Sequence, residues 1–153
     1  MKTFIKTFDD LSNTEIYQIL RLRSEVFVVE QECIYQDIDN KDKKAVHIFL
    51  KEKNEIIAYS RVFKEKEYFE NPSIGRVVVA NKRRMYGVGK KIMNISIDYI
   101  KKNIKAKSIE ISAQKYLKKF YSNLGFIQQG EEYLEDNIPP VSYTHLRAHE
   151  TDR

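Results

Sequence analysis

Residues 83–91, RRMYGVGKK, hold Gly87 and Gly89 one residue apart inside a basic run. A β-branched run, IGRVVV, precedes them, and a helix-like run beginning at Val88 follows. This order of strand, basic turn, Gly-x-Gly and helix can hold an anion. The first amides of a helix have no intrahelical acceptor, and the positive end of the helix dipole points the same way. Glycines remove the Cβ atoms that keep a phosphate off the backbone. Lys82, Arg83, Arg84, Lys90 and Lys91 add positive field. Two stricter motifs fail. A Walker A loop needs glycine where Arg84 stands and Ser or Thr where Lys91 stands, and the dinucleotide fingerprint needs a third glycine where Ile92 stands. From spacing alone, a phosphate cradle and a solvated turn with snorkelling lysines both stay open.

The elements that must position this loop read as follows. Thr3 to Phe8 is a first strand; Ser12 and Glu15 form a capping box for a helix from about Asn13 to Phe27, with Ile16, Ile19, Leu20, Arg23 and Phe27 at helical spacing. Glu30 to Lys44 is a long polar loop, acidic in its middle. Val46–Leu50 and Ile56–Phe63 make a hairpin through KEKNE, and Ile74–Val79 is the fourth strand. A helix runs from Val88 to about Lys102, Ser108–Ala113 is a strand, and Leu117–Asn123 is a short helix closed by Gly125. Ile127–Tyr133 is a last strand. The order β-α-β-β-β-α-β-α-β predicts an α+β domain with a mixed sheet.

Composition narrows the class. The chain has 153 residues, 42% of them apolar, a formal charge of +5 and a single cysteine, Cys33. That suits one domain with one core, without an intrachain disulfide, and makes the cytoplasm the expected compartment. No apolar run approaches a membrane span, and MKTFIKTFDD lacks the apolar stretch of a signal peptide. The cations cluster at one helix start and do not alternate with aromatics, so neither a nucleic acid nor a membrane is an expected partner.

Arg84-x-x-Gly87-x-Gly89 after IGRVVV, together with KKFYSNLGF (118–126), resembles the paired signatures of the GNAT N-acetyltransferase superfamily. RSEVFVVEQECIYQDIDNKD (23–42), IGRVVV and AQKYLKKFYSNLGF (113–126) together resemble its ElaA-like subgroup, over about Thr14 to Pro139. The resemblance implies a mostly antiparallel sheet splayed between its fourth and fifth strands, flanked by helices. Acetyl-CoA would be the co-substrate, with no metal. It implies that Val77 and Val79 run beside the pantetheine through their main chain. The pyrophosphate would meet Arg84, Gly87, Val88, Gly89 and Lys90, while Lys82, Arg83 and Lys91 meet the 3′-phosphate or solvent.

The implied reaction is direct attack of an amine, from a small molecule or peptide, on the thioester. Tyr121 stands where the family supplies a proton to the leaving thiolate, a task suited to a group of pKa ~10. Many relatives carry a glutamate base at the start of the fourth strand; this chain has Ser73 near there, leaving Glu30, Asp37, Asp39 and Glu110 as candidates. Glu30, Tyr35, Asp37 and Gln114 are the expected acceptor-side residues, the acidic loop favouring a cationic substrate. A buried role is expected for Cys33 and a structural one for His47. A non-catalytic acyl-CoA sensor is the rival reading, and a homodimer is open.

The last thirteen residues, VSYTHLRAHETDR (141–153), stand apart. YTHLRAHET resembles translated sequencing-adapter read-through, so the domain is expected over 1–140 and the tail outside the fold. His145 and His149, at i and i+4, mimic a metal pair, but the read-through origin is preferred.

Overall fold

The computed structural model describes residues 1–32, 35–104, 108–114, 117–134 and 142–149, with backbone alone for 130–134 and 142–149. Seven strands are present among them: β1 (Lys2–Thr7), β2 (Val46–Glu52), β3 (Glu55–Phe63), β4 (Ser73–Val79), β5 (Ser108–Gln114), β6 (Ile127–Leu134) and β7 (Ser142–His149). Helices α1 (Asn13–Arg23), α2 (Val88–Asn103) and α3 (Lys118–Ser122) complete the set. The sheet runs β1-β2-β3-β4-β5-β7-β6, antiparallel throughout except for the parallel β4–β5 pair.

The capping box closes as its residue types require. Glu15 N–H donates to Ser12 Oγ at 3.1 Å, and Ser12 N–H to Glu15 Oε1 at 2.9 Å. The first helix does not end at Phe27. It passes into a π-helical segment, Ser24–Glu30, whose exit bond runs from Gln31 N–H to Val26 O at 3.0 Å. Bonds from i+5 to i break the 3.6-residue period on which the expected end rests. Gly125 behaves as its place predicts, at φ +98°. Phe126 N–H reaches back to Tyr121 O (3.1 Å) and Gly125 N–H to Ser122 O (3.0 Å), the two bonds of a Schellman closure.

The sheet is covered on both sides. Ile92, Met93, Ile97 and Ile100 of α2 bury against Ile48, Leu50, Ile57 and Val62. Ile19 and Leu22 of α1, with Val26, bury against Phe49, Ile56, Tyr59 and Val78. Two covered faces explain why EIIAYSRVF is a continuous apolar run broken by few polar residues. Truncating Ile97 to alanine in such a core costs about 2–5 kcal/mol.

Between β4 and β5 the sheet opens. Their one register pair is Ser73 with Glu110, reinforced by Glu110 N–H to Pro72 O at 2.9 Å. Beyond it the strands part, as expected from the resemblance. The register of β4 on β3 also shifts: Tyr59 faces Val78 and Arg61 faces Gly75, so Arg76 and Val77 have no register partner. Arg76 sits at φ +49°, the left-handed region. This is a β-bulge, which bends and twists its strand.

The sequence reading sets 141–153 outside the fold, whereas Ser142–His149 lies as β7 between β5 and β6. It pairs from Ser108–His149 to Gln114–Tyr143 on one side. A ladder is made by main-chain groups, so a segment with no amphipathic periodicity can still fill a strand position.

Candidate active site

The gap between β4 and β5 is a cleft of about 630 Å³. Its long wall is β4 from Ile74 to Val79; Ile111 to Gln114 of β5 form the facing one. The glycine loop closes one part of the lining, and Val26, Phe27, Glu30, Gln31 and Tyr35 contribute from the π-helical segment and the loop after it.

Every residue expected to hold the co-substrate lines this cleft: Val77, Val79, Arg84, Gly87, Val88, Gly89 and Lys90. Gly87 is the N-cap of α2 at φ +74°, a conformation that disfavours L side chains, and no side chain among the described residues caps the helix. The first intrahelical bond is Lys91 N–H to Gly87 O at 3.0 Å, so the amides of Val88, Gly89 and Lys90 have no helical acceptor. A Cβ on Gly89 would meet the Phe120 ring at 3.6 Å and Val79 Cγ2 at 3.8 Å, ordinary contacts. These uncapped, unshielded amides suit a pyrophosphate.

Arg84 reaches across the cleft mouth: its guanidinium lies 2.5 Å from Glu30 Oε2, and its Nε donates to Val79 O at 3.2 Å. Lys82 and Arg83 turn elsewhere, to Glu55 and Glu52 at the β2–β3 hairpin. Lys91 is outside the cleft lining.

Tyr121 lines the cleft from α3, buried to 6% exposure between the edges of Phe120 and Phe126, at centroid distances of 5.0 and 6.1 Å. The Schellman bonds fix the turn that carries Phe126, and so that ring's contact with Tyr121. Gln114 Nε2 donates to Gln31 Oε1 at 3.1 Å, tying the end of β5 to the end of the π-helical segment. Glu30, Tyr35 and Gln114 therefore share one cavity, as the acceptor-side assignment requires of them. Asp37 does not join it.

Asp37 lies behind the cleft wall in a buried charge network that sequence reasoning missed. Its carboxylate accepts from Arg23 Nε (2.9 Å) and Arg76 Nε (2.8 Å), and its carbonyl from both arginines. Asp39 accepts from Arg61 at 2.9 and 2.6 Å, and Asp42 Oδ1 from Arg23 (2.8 Å) and Arg61 (2.9 Å). Arg23 and Arg61 are 0% and 1% exposed. A signal was present: Arg23 sits at the helical spacing of an apolar face, where a charge must find a partner.

The electrostatics follow. Burial raises the Asp39 carboxyl, but the hydrogen bonds and charge of Arg61, with the charge of Arg76, outweigh it and hold the pKa at about 2. Asp42 is likewise held below the usual range, burial being overcome by Arg23 and Arg61. His47 accepts its structural role: Nδ1 lies 2.6 Å from Tyr59 OH and Nε2 2.8 Å from Asp42 O. Burial pushes its pKa down, aided by the nearby arginines and opposed by Asp42.

Of the four candidate bases, Asp37 and Asp39 are thus bound to arginines. Glu110 is buried beneath the β4–β5 junction and hydrogen-bonded by Asn71, outside the cleft lining. Glu30 alone lines the cleft. Ser73, at the start of β4, has a buried Oγ with no hydrogen-bond partner among the described residues. Cys33 and the side chains of His145 and His149 lie outside the described residues. Among the described residues no group of three or more His, Cys, Asp or Glu gathers to hold a metal, and no helix is long and apolar enough to cross a membrane.

Comparison with known proteins converges on one family. The Protein ElaA of Escherichia coli is 38% identical over 134 residues, 86% of this chain and 88% of that protein. Its crystal structure superposes with a TM-score of 0.88 at 33% identity, covering 97% of this chain and 99% of that one. An acyl-CoA N-acyltransferase from Pseudomonas aeruginosa gives a TM-score of 0.87 at 31% identity, covering 97% and 99%. An aminoglycoside 6′-N-acetyltransferase complexed with coenzyme A shares the fold alone, with a TM-score of 0.73 at 12% identity over 98% of both chains. The model of the acetyltransferase (GNAT) domain matches residues 8–146, so the cleft, its glycine loop and its splayed strands are those of a chain that belongs to the GNAT acetyltransferase family.

Proposed function

We propose that this protein transfers an acetyl group from acetyl-CoA to a primary amine. The observation that carries the reading is the opening between β4 and β5, which ends at the uncapped amides of α2 and has Tyr121 in its wall. Pyrophosphate meets those amides and Arg84, which exchanges Glu30 for the ligand. Val77 and Val79 offer main-chain groups to the pantetheine. The fold neighbour complexed with coenzyme A supports this choice of co-substrate.

The amine nitrogen attacks the thioester carbon, forming the C–N bond, and a β4 amide stabilises the oxygen as it gains charge. The C–S bond then breaks. Tyr121 gives its phenolic proton to the leaving thiolate, and the amine's surplus proton leaves through solvent or Glu30, the one candidate base in the cleft. The acceptor lies against Glu30, Tyr35 and Gln114. Since Asp37, Asp39 and Asp42 are consumed by arginines, the loop's selection of a cationic acceptor rests on Glu30.

Acetyl-CoA consumption across an amine panel tests the proposal. Turnover on at least one amine is expected, with Tyr121→Phe slowing it about 100-fold while CoA affinity holds. An unchanged rate in the variant removes the proton donor's role. Tight CoA binding with no turnover on any amine favours the acyl-CoA sensor.

A further inference from the structure

Arg76 is the one residue of a described β-strand that is not glycine and yet sits at positive φ, +49°. Left-handed backbone is unfavourable for an L residue, so something must hold it there. The side chain supplies the hold. Arg76 Nε donates to Asp37 Oδ1 at 2.8 Å, and Nη2 reaches Asp37 O at 3.2 Å and Asp39 Oδ2 at 3.4 Å. The guanidinium also stacks over the Tyr35 ring, 5.4 Å from its centroid. Asp37 is in turn anchored to α1 by the fully buried Arg23, through both its carboxylate and its carbonyl. The chain of contacts runs Arg23, Asp37, Arg76, and ends at the bulge.

The bulge is where the chemistry is read to occur. Arg76 and Val77 leave the β3 ladder and line the cleft on the stretch where β4 no longer meets β5. We infer that Asp37 and Arg76 are a positioning pair, in which Asp37 clamps the Arg76 guanidinium. The clamp keeps residue 76 in the left-handed bulge that turns the β4 main chain toward the thioester. This rests on the proposed function, since it presumes that β4 main chain meets the acyl-CoA. It gives Asp37, absent from the cleft, a role in the reaction that acts through Arg76.

Two substitutions at one site separate backbone from side chain. Glycine adopts positive φ freely, so R76G removes the clamp yet permits the bulge; R76A removes the clamp and resists it. Expected is a kcat for R76G close to wild type and one for R76A roughly tenfold lower, with the amine KM alike in both. D37N should also lower kcat, and D37N/R76G should restore it. If D37N fails to fold, because Arg23 loses part of its compensation, the glycine–alanine pair decides alone.

Equal losses in R76G and R76A, or equal rises in amine KM, would overturn the inference and make the guanidinium a direct substrate contact. CoA titration by calorimetry on the same proteins keeps the two readings apart. If wild type binds CoA but acetylates nothing, the transferase reading fails. The pair is then read from CoA affinity, where R76A must be the weaker binder by the same factor. Equal affinities would refute it.

Discussion

The glycine loop (84–90) and the acidic loop (30–44) are both polar, charged and irregular in sequence, and they follow opposite logic in the structure. In the glycine loop the groups left open are backbone amides. Their availability follows from local facts: glycine at positive φ, no side-chain cap, and the start of a helix. In the acidic loop the charges are side chains whose meaning depends on distant partners. Asp37, Asp39 and Asp42 look in sequence like a surface for a cation, yet each faces arginines contributed by α1, β3 or β4. A site built from backbone can be read from neighbours in sequence. A site built from charge needs the counter-ions first.

The sharpest way to break this contrast is through Asp42, which serves Arg23 and Arg61 at once. Asp42→Asn leaves two buried guanidinium groups under-compensated and should cost about 3–5 kcal/mol of stability in denaturant unfolding. CoA affinity of the folded protein should hold. A stable Asp42→Asn protein with weakened CoA binding would invert the division of labour between the loops.

Acid should find the same network next. Burial lowers the His47 pKa in the fold, while an unfolded histidine takes a proton near ~6.5. Stability therefore begins to fall as pH drops below that value toward the folded pKa. Asp39, held at about 2, contributes stability that is fully present above ~4 and lost as pH falls from there to about 2, on the order of 2 kcal/mol. Asp42 acts in the same direction. Chemical unfolding at pH 7, 5 and 3 should show the two stages; flat stability across that range would mean the network is not held by its ion pairs.

The smallest effect belongs to the glycine loop. Gly89→Leu introduces a Cβ that meets only ordinary contacts, so the melting temperature should move little. The added side chain nevertheless crowds the amides, and CoA affinity should fall roughly tenfold or more, about 1.4 kcal/mol. Calorimetric titration checks the binding and a thermal melt the fold. Unchanged affinity would return the loop to an ordinary turn.

Sequence reasoning reached most strands and helices because period, caps and turn residues are local: Ser12 with Glu15, Val88 onward, and Gly125 before Phe126 each behave as written. It stopped short where those signals end. The π-helical run after Arg23 hides in a sequence that still looks helical, and β7 is seated by ladder bonds that its side chains do not announce. The bulge at Arg76 gave no signal either, since arginine is a poor marker of positive φ.

By itself, then, the chain determined most of its strands, helices and caps, because these depend on spacing and local backbone geometry. The splayed sheet and the phosphate-facing reading of Gly87 and Gly89 came through its resemblance to a family. Tertiary structure alone decided which charges face the cleft. Asp37, Asp39 and Asp42 are close in sequence to Glu30, but burial beside Arg23, Arg61 and Arg76 made them structural and left Glu30 in the cavity. Electrostatic roles are set by what is brought within a few ångströms, and that is a property of the fold.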